Sequence, residues 1–433
     1  MPQKLRLVLI GNGMAGVRTL EELLKIAPDL YEITVFGAEP HPNYNRILLS
    51  PVLAGEQTLE QIILNPLEWY AAHGIRLHLG AWVTNVNRAG QRVRAETADG
   101  QVIEARYDRL LIATGSTPFI PPLPGRELEG VISYRDIADT EAMIEAARTH
   151  RHAVVIGGGL LGLEAANGLK LRGMKVTVVH LAPWLLDRQL DPQAARLLQR
   201  SLESRGLNFR VHTQTEALLA GEGEAASRVR AVRFKDGSEV PADLVVMAAG
   251  IRPNTALAES MGLLCRRGIV VSDTLQTVTD PRIYAVGECA AHRGIAYGLV
   301  APLFEQGRVC ATHLAEVGLG RYVGSEVSTK LKVTGIDLFS AGDFMGGEGS
   351  EDIVLSDPFD GVYKKLVLRG DRLVGACLYG DTADGSWYFR LIRECRSVAA
   401  FRDQLMFGEA ALPALPQGGP AAVATDAQVA LAA

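Results

Sequence analysis

Cysteine is scarce in this chain and poorly spaced for chemistry: Cys265, Cys289, Cys310, Cys377 and Cys395 are the only five in 433 residues. An odd number, with no CxxC or CxxxxC spacing, supplies neither a disulfide framework nor an iron–sulfur cradle. None precedes position 265, so the first half of the chain has no thiol for a redox-active disulfide. A small buried hydrophobe is the expected role of each. Long apolar runs are missing too. The longest uncharged stretches, such as 295–304, fall well short of the roughly 20 residues of a membrane helix. Met1-Pro2-Gln3-Lys4 leads directly into a strand pattern without a signal-peptide core. A soluble, cytoplasmic protein with no membrane partner is therefore expected. The formal charge is only −5, with no basic block and no aromatic-basic interleaving, which argues against nucleic acid as a partner. The nine histidines are scattered without metal-ligand spacing, and no metal site is expected.

What the sequence does have is glycine in two special places. Gly11-Asn12-Gly13-Met14-Ala15-Gly16 and Gly157-Gly158-Gly159-Leu160-Leu161-Gly162 each follow an apolar run and precede a helical pattern. A lone GxGxxG is weak evidence, since such a turn often does no more than reverse the chain. Both copies, however, sit in a βαβ rhythm: 5–10, a helix over about 14–26 and 32–36, then 153–156, a helix over about 161–172 and 175–179. In that context the glycines permit a tight turn, let backbone N–H groups approach a pyrophosphate, and aim a helix N-terminus at its charge. Two dinucleotides on one chain are expected.

With 433 residues and 48% apolar content, two or three domains are expected of an α/β protein. After the first βαβ unit comes an irregular segment, 39–51, and a polar-apolar meander over about 75–107 with a turn at Asp99-Gly100. Residues 110–115 read as a buried strand ending at Thr114-Gly115, and 118–124 as a linker. The second unit runs to about Pro241, and 244–250 repeats the pattern of a strand closing on glycine. Then 280–288 places Glu288 just beyond an apolar strand, at the carboxyl edge where open α/β sheets bind ligands. A helical pattern covers 299–319, a β-rich module follows over about 329–378, and a short helix, 388–395, closes it. Ala, Pro and Gly dominate from Leu412 onward, with one charge at Asp426, which reads as a disordered tail or linker.

Over about residues 4–325 these five ordered motifs resemble the FAD-dependent pyridine nucleotide reductases. The run 35–46, the stretch 328–332 and the C-terminal module are similar, more narrowly, to the amino-terminal flavin half of the NAD(P)H-dependent nitrite reductase large subunit, as far as about Glu409. The resemblance implies a glutathione-reductase-like fold of two Rossmann-like dinucleotide-binding domains plus a small β-rich α+β domain. Its implied boundaries are 1–118 with 245–325 for FAD, 119–244 for NAD(P)H, 326–408 for the C-terminal domain and 409–433 for the tail.

By the same resemblance Gly11, Gly13, Met14, Ala15 and Gly16 hold the FAD pyrophosphate, and Glu39 takes the adenosine ribose. Arg46, Ala113, Thr114 and Gly115 line the flavin, while Gly287 and Glu288 hold its ribityl chain, at a position where Asp is commoner. NADH or NADPH falls to Gly157, Gly159, Leu160, Leu161, Gly162 and Gly250, with Glu164 beside the nicotinamide. The lysine that often pairs with this glutamate is replaced by Pro51. His180 stands where an NAD site usually presents an acid to the ribose 2′-OH; it can donate to a hydroxyl or a phosphate, so weak discrimination between the nucleotides is expected.

The resemblance implies hydride transfer from NAD(P)H to FAD and onward passage to a redox partner protein carrying iron–sulfur or sirohaem, with no catalytic residue beyond the flavin. The sirohaem and iron–sulfur modules of nitrite reductase have no counterpart in this sequence, so an electron-input module is expected rather than a complete nitrite reductase. A free-standing ferredoxin or rubredoxin reductase, a non-catalytic nucleotide sensor or scaffold, and a homodimer paired through the C-terminal module are the alternatives and assemblies that remain open at this point.

Overall fold

The computed structural model describes residues 4–223, 226–326, 328–333 and 335–412. Two compact units result. One runs to about residue 327 and takes in 331–336, and the other holds 328–330 and the described residues from 337.

The first unit is built twice on one plan. Its first sheet is five parallel strands in the order Ile283–Ala285, Arg109–Ile112, Leu5–Ile10, Tyr31–Phe36 and Arg76–His78. Its second is also five parallel strands: Val131–Ser133, Leu244–Met247, His152–Ile156, Lys175–Val179 and Asn208–Arg210. Helices or loops cover both faces of such sheets, so their strands read as unbroken apolar runs rather than alternating ones. Leu7, Leu9, Leu111 and Ala285 are fully buried in the first, as are Val154, Val155, Val245 and Val246 in the second. Each sheet carries a three-stranded antiparallel meander, Ala81–Asn87 to Val102–Arg106 in one case and Thr215–Ala220 to Glu239–Pro241 in the other.

In both sheets the strand before the glycine fingerprint is central, and the chain adds strands first on one side and then on the other. That reversal leaves a crevice at the carboxyl ends of Leu5–Ile10 and His152–Ile156, the place where doubly wound sheets take ligands. The two halves meet through helices. Leu49–Ala54 packs on Leu160–Leu171 so closely that a Cβ on Gly168 would lie 2.6 Å from Leu53 Cγ. Arg172 caps the short helix by donating to the carbonyls of Val52, at 3.1 Å, and Leu53.

Several sequence expectations are corrected. A boundary at 244/245 would divide the strand Leu244–Met247, which pairs with His152–Ile156 and so belongs to the second sheet; the chain returns to the first half at Ile251–Pro253, paired with Ser116–Pro118. The segment 39–51 is not irregular throughout, since Asn43–Tyr44 pairs with Ile63–Asn65 and the helix Leu49–Ala54 begins within it. The meander starts at Ala81, because Arg76–His78 joins the parallel sheet. The helix within 299–319 ends at Leu314.

The second unit is built on a sheet whose strand order is Ser328–Val333, Ile336–Gly342, Arg372–Tyr379, Val362–Arg369 and Glu351–Asp357, with residues 328–330 and those from 337 onward counted in it. Two adjacent lysines on a buried strand would be costly unpaired. Lys364 binds Asp381 at 2.6 Å and holds its carboxyl below the usual range, and Lys365 binds Asp352 at 3.0 Å. Gly385–Arg393 packs Trp387, Tyr388 and Leu391 against the sheet, and two 3-10 segments follow. Chain order thus persists past 408: Glu409–Ala411 is a 3-10 turn whose Glu409 pairs with Arg390. The rest of the expected tail, 413–433, lies outside the described residues.

Candidate functional site

The two fingerprints fold alike, and their glycines divide into two kinds. Gly11 and Gly157 sit at φ +103° and +132°, and a Cβ on either would collide with a carbonyl oxygen of the adjacent strand's loop, Ala113 or Ala248. Gly16 and Gly162 lie against the carbonyls of Gly11 and Gly157 and let each helix approach its own strand. These four are required by the fold. Gly13 and Gly159 are different: each is the N-cap of its helix, makes no side-chain cap bond, and faces space in which an added Cβ would meet nothing within 4 Å.

The free N–H groups of the first helical turns, which include Met14, Ala15, Leu160 and Leu161, therefore open onto unfilled space. An anion-binding cradle has this geometry, and a pyrophosphate fits it. Gly287 closes the first cradle from the side, its Cα position facing the Ala15 methyl.

Beside the first cradle runs a continuous polar chain. Arg46 donates to Glu39 at 2.6 Å and to the Arg135 carbonyl at 2.8 Å, and its guanidinium stacks over the Tyr44 ring. Tyr44 adds a 2.6 Å bond to the second Glu39 oxygen. Arg135 in turn pairs with Glu288, which also accepts from Ser116 at 2.7 Å. Thr114 is pinned by reciprocal bonds with Asn254, at 3.0 and 2.8 Å. The structure thus joins Glu39, Arg46 and Glu288 in one network. Tyr44, Arg135 and Ser116 were not singled out from sequence: Tyr44 lies inside the motif run, but Arg135 arrives from the far side of the linker, and only the fold brings it there.

At the second cradle Glu164 is part-buried, accepting a 2.6 Å bond from Ser50, whose hydroxyl also meets Tyr134 at 3.1 Å. Burial pushes the Glu164 carboxyl up and the Ser50 bond pulls it only partly back. A carboxyl raised in the folded state keeps its full stability below the unfolded value near 4.5 and loses it as pH climbs through the folded value. Glu164→Gln should accordingly melt higher than the parent by a margin that widens between pH 4.5 and 8. A margin that stays constant across that window in thermal melts would show that the carboxylate carries no burial penalty.

His180 ends the strand Lys175–Val179, with both ring nitrogens engaged: the Gly158 N–H donates to Nδ1 at 3.1 Å and Asp187 lies 3.1 Å from Nε2. Gly115 and Gly250 adopt left-handed conformations at the ends of the neighbouring strands' loops, at φ +65° and +114°.

No group of His, Cys, Asp and Glu suited to a metal ion occurs among the described residues. Cys289, the cysteine next to Glu288, is fully buried, which pushes its thiol up and away from the thiolate.

A family model described as pyridine nucleotide-disulphide oxidoreductase matches residues 5–316. The chain belongs to that family. It is an oxidoreductase of the FAD and NAD(P)H type, and no cysteine precedes position 265, so none follows the first fingerprint closely along the chain. A second model, the C-terminal domain of rubredoxin NAD+ reductase, matches 328–396. Among curated proteins the chain is 52% identical to a nitrite reductase [NAD(P)H] of Bacillus subtilis, over 90% of this chain and 47% of that one. It is 45% identical to the assimilatory nitrate reductase electron transfer subunit of the same organism, over 95% and 52%. The chain spans about half the length of these relatives. Among solved structures, putidaredoxin reductase in its covalent complex with putidaredoxin is 28% identical with a TM-score of 0.80, covering 94% of this chain and 96% of that one. No helix among the described residues is long and apolar enough to cross a membrane.

Proposed function

We propose that this chain is the FAD-dependent, NAD(P)H-oxidising electron-input module of an assimilatory nitrite or nitrate reductase, passing electrons to a metal-containing partner. The observation that carries this reading is the pair of cradles at Gly13 and Gly159, each an uncapped helix start facing open space, in one compact unit. FAD, when bound, supplies a carrier that accepts a hydride's two electrons and releases them singly. The residues have the simpler task of holding and orienting. Gly11 to Gly16 would grip the FAD pyrophosphate, Glu39 its adenosine ribose and Glu288 its ribityl chain. Gly157 to Gly162 would grip the pyridine nucleotide, with Glu164 alongside the nicotinamide. Hydride transfer needs no general base, which suits a site whose acids are engaged with arginine or serine. The names of the two Bacillus relatives support the acceptor class.

Anaerobic titration with NADH and with NADPH, followed by a sirohaem-containing partner, tests the proposal. Bleaching of the flavin by about one equivalent of nucleotide and recolouring on adding the partner is the expected result. A flavin that neither nucleotide bleaches would sink it. The match of 328–396 to the rubredoxin NAD+ reductase domain favours a second reading, a free-standing ferredoxin or rubredoxin reductase. Reduction of ferredoxin or rubredoxin at rates that the sirohaem partner cannot match would decide for it.

A further inference from the structure

At the second cradle the residue expected to read the ribose is a histidine, and its surroundings say what it reads. An N–H can donate only to an unprotonated ring nitrogen, so the Gly158 bond leaves Nδ1 bare and puts the ring proton on Nε2, facing Asp187. The ring is neutral in this arrangement, and the charge at the site belongs to the carboxylate.

The packing shows that the arrangement is built in. The two repeats exchange large and small residues at matched positions. In the first, Asn12 fills the middle of the fingerprint and Gly37 follows the second strand, where a Cβ would lie 2.9 Å from Asn12 Cβ. In the second, Gly158 takes the middle and His180 follows the strand, and a Cβ on Gly158 would lie 2.8 Å from the His180 Cγ. The imidazole occupies the volume a side chain at 158 would need, and this close seat holds it in register with the loop. Leu181, the next residue, is left 65% exposed, an apolar surface that suits the flat face of an adenine ring.

We infer that His180 and Asp187 together replace the single acid of a usual NAD site, and that they select NADH over NADPH. This rests on the reductase reading above and deepens it. Asp187, tied to His180 and partly exposed, is free to accept from a ribose 2′-hydroxyl with its second oxygen. A 2′-phosphate would set a charge of about −2 beside that carboxylate, and the neutral ring has no charge to offset it. Arg188 is exposed and is the nearest cation in sequence, so it must be tested as the rival reader.

Calorimetric binding of NAD+ and NADP+ to the oxidised holoenzyme reads the preference whether or not the flavin is later reduced; kcat/KM for NADH and NADPH is measured alongside. The parent should bind NAD+ about tenfold or more tighter than NADP+. Asp187→Asn should narrow that gap to about threefold, mainly through tighter NADP+, and Asp187→Arg should reverse it. The inference is overturned if the parent binds both within about threefold or prefers NADP+, or if Asp187→Asn moves neither affinity. A selective loss of NADP+ binding in Arg188→Ala would overturn it as well, making the arginine the reader. If the preference is found but neither nucleotide bleaches the flavin, the reductase reading fails and the specificity assignment stands.

Discussion

Gly157→Ala is expected to cost about 3–5 kcal/mol of stability, whereas Gly159→Ala, two residues on, should melt almost with the parent yet lose nucleotide binding. The difference follows from backbone geometry. Position 157 has φ +132°, a conformation an L-residue adopts only under strain, and the new methyl would drive into the Ala248 carbonyl where the two strands' loops touch. Neither can yield without parting Leu244–Met247 from His152–Ile156, which is the centre of the sheet. Position 159 has φ −81°, ordinary for alanine, and its methyl would point into unfilled space.

At a helix N-cap alanine is less favourable than glycine, and the exchange costs about 0.5–1 kcal/mol, well below the cost at 157. The methyl does, however, occupy the space a pyrophosphate would need to reach the helix N–H groups, so NADH affinity should fall about 10- to 100-fold. Thermal melts and nucleotide titration on the two variants check both halves. A Gly159→Ala protein that keeps its affinity for NADH would mean that no phosphate sits over that helix start. The first fingerprint should repeat the contrast for FAD, with Gly11 in the part of Gly157 and Gly13 in that of Gly159.

How much of this was legible beforehand depends on whether the signal was local. The strand Leu5–Ile10 and the helix Met14–Ile26 were readable to the residue, because an apolar run, a glycine turn and a helical period succeed one another within 22 residues. The membership of Leu244–Met247 was not, since a buried apolar strand carries no mark of which sheet it joins; only its pairing with a strand some 90 residues earlier decides it. The site divides the same way. Glu39 and Arg46 lie seven residues apart, and their proximity was foreseeable. Arg135 against Glu288, 153 residues apart, was not. Asp187 was missed for another reason: a reader expecting the ribose acid at the strand end looks at 180, finds histidine, and has no pattern to say that the loop returns an acid to its side.

Glu288→Ala should destabilise the protein by about 3 kcal/mol, the low end for stripping one partner from a buried ion pair, and should strip FAD as well. The side chains of Arg135 and Glu288 are 18% and 15% exposed, so the guanidinium left behind would be largely shut off from water. Its Nε has no hydrogen-bond partner, and the Ser116 hydroxyl that the guanidinium also meets, at 2.9 Å, is neutral and cannot replace the carboxylate's charge. The pair also accounts for the glutamate at a position where aspartate is commoner: the extra methylene lets one carboxylate oxygen reach both Arg135 and Ser116. Glu288→Asp should therefore keep the charge but withdraw it by about 1.5 Å, giving a loss smaller than that of alanine. Arg135→Met alone leaves a buried carboxylate, and the double variant with Glu288→Gln removes both charges. The double should be more stable than the sum of the two singles implies, with a coupling of about 1–3 kcal/mol in apoprotein melts. Strict additivity would show that the two groups do not depend on each other. In that case Glu288 would act on FAD alone, and the variants would differ in flavin affinity without differing in the melting of the apoprotein.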